Sequence, residues 1–147
     1  MIENRDQTLL LENQLCFKLY EASKLLISKY LPVLEKLNLT YTQYLVMLLL
    51  WENEVLKVKE IGNKLSLDSG TLTPLLSKLQ TKGYIKKCRS KTDKRDVFIK
   101  ITDLGQSLKE EAYTVPEEIC KCLSISEEEG ITLYQILDKL IEGLYGK

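Results

Sequence analysis

Hydrophobic residues recur along most of this chain at the three- and four-residue spacing of helices. Leu11, Leu15, Leu19, Ala22 and Leu26 form one stripe, predicting an amphipathic helix over about residues 8–30 with Cys16 in its middle. Pro32 predicts the kink or end of that helix. Thr40 is suited to cap a second helix that runs to Trp51 through the apolar string LVMLLLW. Val58, Ile61 and Leu65 predict a short helix ending near Ser66. Asp68 or Ser69 then caps another through Leu72, Leu75, Leu76 and Leu79, stopped at Lys82-Gly83. Beyond Gly83 the pattern changes. YIKKCR and VFIKIT alternate or run β-branched on either side of the polar SKTDKRD, which predicts a β-hairpin with a long charged tip. Thr102-Asp103 caps a further helix from about 104. Ser126 with Glu127, Glu128 and Glu129 opens a last one, whose Leu133, Ile136, Leu137, Leu140, Ile141 and Leu144 share a face.

Two short helices joined by a tight turn and followed by a hairpin make a winged helix-turn-helix: a mainly α fold with a small β-hairpin wing. The 147 residues suit a single domain, with the winged-helix core over about 41–102. The helices at about 1–37 and 104–147 carry apolar faces beyond what such a core can cover. They are expected to be dimerisation helices that bury each other across a twofold axis, setting two recognition helices about one DNA turn apart.

Charge sharpens this picture. The chain is neutral overall, with 21 Lys and Arg against 21 Asp and Glu. From Lys78 to Lys100, however, nine cations face only Asp93 and Asp96, a local balance of +7, whereas residues 101–147 carry four Lys against ten acids. A basic block on a helix-turn-helix and its wing points to double-stranded DNA. In the recognition helix, Ser69, Thr71 and Thr73 put short hydroxyl donors where helix amides already favour phosphate, and Lys78 follows. Pro74 falls after the first turn, which costs a helix hydrogen bond unless the helix starts nearer Thr71. In the wing, Lys91, Lys94 and Arg95 have the charge for a narrow minor groove, and Asp93 is placed to hold the Arg95 guanidinium.

Four cysteines (Cys16, Cys88, Cys120, Cys122) in a chain that opens without a charged-then-apolar leader are expected to be reduced thiols of a cytoplasmic protein. No apolar stretch approaches the roughly 20 residues a spanning helix needs, so no membrane is expected. There is no histidine and no C-x-x-C pair, so neither a metal nor another cofactor is expected. The same absences weigh against a thiol peroxidase, which needs turnover machinery, and against an enzyme in general. Cys88, between Lys87 and Arg89, reads as structural.

Over nearly its full length the chain resembles the MarR family of dimeric winged-helix regulators. Asp93-x-Arg95 matches that family's wing motif. LENQLCF (11–17), LTYTQYLVMLLLWE (39–52) and LDSGTLTPLLSKL (67–79) are similar to its organic hydroperoxide resistance regulators. The resemblance implies a repressor whose reduced dimer holds operator DNA and lets go when an organic hydroperoxide oxidises Cys16. It also implies that Tyr30 and Tyr41, with Tyr20 nearby, hydrogen-bond the thiolate. Tyr30 is fourteen residues from Cys16, roughly 21 Å along a continuous helix at ~1.5 Å per residue, so that contact has to cross the dimer. Tyr20, at i+4, is within reach in cis. The oxidised sulfur is expected to end in a disulfide, either with a low-molecular-weight thiol or with a resolving cysteine, for which Cys120 and Cys122 are the candidates near Val115-Pro116-Glu117. The competing reading is a regulator that answers a small aromatic ligand, Cys16 then being a buried hydrophobe.

Overall fold

The computed structural model describes residues 3–93 and 95–146; Lys94 lies outside the described residues. After α1 (Glu3–Gln7) and a 3-10 turn at Leu11–Asn13, the long helix α2 spans Leu15–Glu35. It starts later than the leucine periodicity predicts. Asn13 Nδ2 donates to Gln7 O at 2.7 Å and Gln14 Nε2 to Thr8 O at 2.7 Å. These side chains bind the backbone of the preceding turn, and Gln14 itself is extended, so the helix cannot pass through them. Cys16 therefore sits in the first turn of α2 and not in the middle of a helix. At the other end α2 runs on past Pro32 to Glu35, so the proline does not end the helix.

Helix α3 (Tyr41–Asn53) begins at a capping box in which Thr40 accepts from the Gln43 amide and the Gln43 side chain accepts from the Thr40 amide. It forms the centre of the core. Val46, Met47 and Leu50 are fully buried, against Leu34 of α2 and Leu72, Leu76 and Leu79 of α5. The helix-turn-helix is α4 (Val58–Leu65), a left-handed Ser66, and α5 (Ser69–Thr81). Asp68 is the cap of α5, with Oδ1 accepting from the Thr71 amide at 2.8 Å. Pro74 thus lies in the second turn, where it withholds the amide that Gly70 O would accept.

The wing has a strand that the sequence pattern did not single out. β1 (Val55–Lys57), β2 (Ile85–Arg89) and β3 (Val97–Ile101) form an antiparallel sheet in the order β1-β3-β2. Leu56 pairs with Ile99, and Ile85 with Ile101, which puts all four side chains on the core. Three residues are too short to display an alternation, so β1 was invisible to periodicity. Helix α6 (Asp103–Ala112) is capped by Thr102, α7 (Thr114–Cys120) returns against α2, and α8 (Glu127–Leu144) opens on Ser126 and Glu129 as a capping box. Nothing in α8 is buried, and Leu34 is the only buried residue of α2. Leu15 is 67% exposed and Leu144 78%. The apolar faces read from the sequence are present but uncovered within one chain.

Candidate nucleic-acid interface and thiol site

A cleft of about 850 Å³ opens between the helix-turn-helix and the wing. Ser69 and Thr73 of α5 line one side, and Lys87, Arg89 and Arg95 of the wing line the other. Lys87 and Arg89 are two apart on β2 and so face the same way, a signal available in the alternation of the strand but not singled out from sequence. Lys57 and Lys59 also line the cleft and precede the basic block. The Lys57 ammonium sits 2.7 Å from the Asp96 carboxylate and 5.6 Å from the centre of the Phe98 ring, fastening β3 to the start of α4. That hydrogen bond, and the nearby charge, holds the lysine above its ordinary range.

The other predicted contacts sort by position. Thr71 lies beside its cap: its backbone amide donates to Asp68 Oδ1 and its hydroxyl sits 3.3 Å from Oδ2, and the amide first, then the hydroxyl, hold the Asp68 carboxyl below its usual range. Lys78 is exposed further along α5 and does not line the cleft, and Lys91 is exposed at the wing tip. Lys94 is outside the described residues. Asp93 plays a different part from the one expected. Its Oδ1 accepts from the Arg95 backbone amide at 2.9 Å, so it shapes the turn and leaves the guanidinium free of an ion pair within 4 Å among the described residues.

All four cysteines are exposed, including Cys88, which the sequence reads as structural and which sits on β2 between two residues of the cleft. Cys16 is the second residue of α2. Tyr20 stands one turn further on, 62% exposed, with the Lys24 ammonium 5.9 Å above its ring; no hydrogen bond joins it to Cys16. Tyr30 is at the opposite end of the same unbroken helix, which confirms that it cannot reach Cys16 of its own chain. The structure brings Tyr30 and Tyr41 together edge to face at 4.8 Å, with Tyr44 at 6.1 Å from Tyr30 and Trp51 beyond it at 6.2 Å. Burial pushes the Tyr30 phenol up, and Tyr41 and then Cys120 add to that; Cys120 is the last residue of α7, the helix that packs on α2. Cys122 lies past the end of α7, donating to Glu118 O at 3.4 Å.

A recognition helix and basic wing across one cleft, with an exposed thiol at the head of a long uncovered helix, define a winged-helix regulator of transcription. The family model described as transcriptional regulator SarA/Rot matches residues 28–112. The organic hydroperoxide resistance transcriptional regulator of Bacillus subtilis (strain 168) is 46% identical over 149 aligned residues, covering 99% of each chain. Reduced AbfR bound to DNA superposes with a TM-score of 0.77 at 36% identity, covering 99% of each chain, and disulfide-formed AbfR with 0.64 at 36%, covering 100% of each. AbfR is from Staphylococcus epidermidis. The chain belongs to the MarR/SarA-type family of winged-helix transcriptional regulators, in the branch that holds the organic hydroperoxide resistance regulators.

Proposed function

We propose that the protein is a peroxide-sensing repressor: a homodimer that holds operator DNA while Cys16 is reduced and releases it when an organic hydroperoxide oxidises that sulfur. The observation that carries this is the placement of Cys16, exposed in the first turn of α2, on a chain that matches a hydroperoxide resistance regulator from end to end. Ser69, Thr73, Lys87, Arg89 and Arg95 meet the duplex across the cleft, and Lys91 reaches backbone from the wing tip. The core at about 41–102 binds DNA, while the segments at about 1–37 and 104–147 form the seam between two copies.

In that seam Tyr30 and Tyr41 of one copy receive the sulfur of the other. The thiolate attacks the peroxide oxygen, the alcohol leaves, and the resulting sulfenic acid condenses with a second thiol, releasing water. Cys120, exposed at the end of the helix that packs on α2, is that second thiol. One hydroperoxide is consumed per site, so the protein is a stoichiometric sensor and not an enzyme. No described helix is long and apolar enough to cross a membrane, and a dimer that works on operator DNA works in the cytoplasm on this reading.

A gel shift tests the reading. Cumene hydroperoxide should abolish binding of the wild-type protein to its operator duplex, while Cys16→Ser stays bound. Equal sensitivity in the two proteins would remove Cys16 as the sensor and leave release by a small aromatic ligand as the account to pursue.

A further inference from the structure

Gln43 is the buried polar residue of the described core, 2% exposed, and its side-chain oxygen joins two parts of the fold. It accepts from the Thr40 amide at 3.1 Å, closing the cap of α3, and from the Lys82 ammonium at 2.9 Å. The same ammonium donates to Asn38 O at 2.6 Å. Lys82 is the residue that ends α5, and Asn38, with φ of 53°, is in the corner between α2 and α3. A second strut runs alongside, Tyr84 Oη donating to Leu37 O at 3.4 Å. This corner connects the helix bearing Tyr30 to Tyr41, the first residue of α3. An ordinary lysine at a helix end extends into water. This one is partly buried among carbonyl oxygens, and neither Glu35, which lines the adjoining cavity, nor any other described carboxylate comes within 4 Å of it.

We propose that Lys82 is a positioning residue for DNA release: through Gln43 and Asn38 it ties the end of the recognition helix to the corner that carries the tyrosine pair. Displacement of Tyr30 and Tyr41 is thereby passed to α5, because the bonded seam moves as one piece or has to break. Lys82 acts on the DNA contacts through α5 and touches no DNA itself. The redox part of this inference rests on the reading of Cys16 as the sensor, whereas the mechanical tie does not.

The test uses a labelled duplex selected from random-sequence DNA by the reduced wild-type protein. In the wild type, duplex binding should slow amide hydrogen exchange in residues 36–43 as well as in α5. In Lys82→Met, which keeps the aliphatic stem, it should slow α5 alone. Equal protection of 36–43 in both proteins overturns the proposal. For the redox part, Kd is measured before and after cumene hydroperoxide. Couplings of this kind span about 5–150-fold, and Lys82→Met should reduce the wild-type ratio at least about fivefold, while Lys82→Arg, still able to donate to both oxygens, preserves it. A ratio unchanged in Lys82→Met beside a responsive wild type overturns the coupling. A wild type that ignores the oxidant overturns the redox reading instead, and the exchange measurement alone then decides the tie. The salt dependence of Kd should be the same in Lys82→Met; a slope lower by about one would make Lys82 a phosphate contact and overturn its role as a tie. If Lys82→Met does not fold, Gln43→Leu removes the shared acceptor and is read in the same ways.

Discussion

Tyr30 and Tyr44 are phenols whose ionisation the fold opposes, chiefly by burial and then by the neighbouring tyrosines, with Cys120 adding to the effect at Tyr30. Both are raised above the ordinary value of 10.0, so at neutral pH each keeps its proton, and Tyr30 can donate to an anionic sulfur. The sign of the stability effect follows. Between the unfolded and folded pKa values the folded chain binds more protons than the unfolded one. Stability from these groups is therefore complete below about pH 10 and is lost as pH rises through the folded values. Melting temperatures should fall above pH 10, and the double variant Tyr30→Phe, Tyr44→Phe should show a shallower fall; parallel curves would mean that other groups set the alkaline limit. The position of Cys120 gives a second test at this scale. Non-reducing electrophoresis after cumene hydroperoxide should show an intersubunit band in the wild type and in Cys122→Ser, and none in Cys120→Ser. A band lost with Cys122 would reverse the assignment, and no band in any protein would favour a small external thiol.

Among the elements, the join between the wing and α6 is the tightest. A Cβ on Gly105 would lie 2.2 Å from Tyr84 O, a backbone atom that cannot swing aside, while Gly105 O accepts from Trp51 Nε1 at 3.0 Å. Gly105→Ala must push α6 off β2. Overpacking of this kind costs about 1–3 kcal/mol, so the variant should melt several degrees lower, and an unchanged melting temperature would show that the contact relaxes freely. The sequence does not announce this glycine, because nothing local distinguishes it from a weak helix residue. What was legible follows from local chemistry: Thr40, Thr102 and Ser126 cap the helices expected of them, and the leucines of α5 face the core. The start of α2 was hidden because Leu11 keeps the period while Asn13 and Gln14 break the backbone. The site split in the same way. Cys16, Tyr30 and Tyr41 could be named from their resemblance to a family. The shared facing of Lys87 and Arg89, the turn-building role of Asp93 and the packing on α2 of the helix that ends at Cys120 depend on register and tertiary packing.

At the scale of the whole molecule, the exposed faces of α2 and α8 decide what one chain can do alone. Leu133, Ile136, Ile141 and Leu144 lie exposed on an α8 that buries nothing in its own chain, the kind of apolar face that marks an interaction surface. In the dimer we propose, a second copy of the same surface covers it by symmetry and brings two recognition helices to one duplex. Ile136 is 58% exposed and outside the core, so Ile136→Glu should leave the winged helix folded, with its far-ultraviolet circular dichroism unchanged. A carboxylate carried into an apolar seam has to be desolvated, which costs more than the lost methyl contacts even with Lys139 one turn further along the same groove. Sedimentation should therefore show a monomer, and DNA affinity should fall by about 10²–10⁴-fold, the advantage that linking two binding sites typically confers. Peroxide should make little further difference to this variant, since the contact we propose between Tyr30 and the partner's Cys16 needs the seam. A monomer that binds the full duplex as tightly as the wild type would separate dimerisation from DNA recognition, and a variant that remains dimeric would place Ile136 outside the seam.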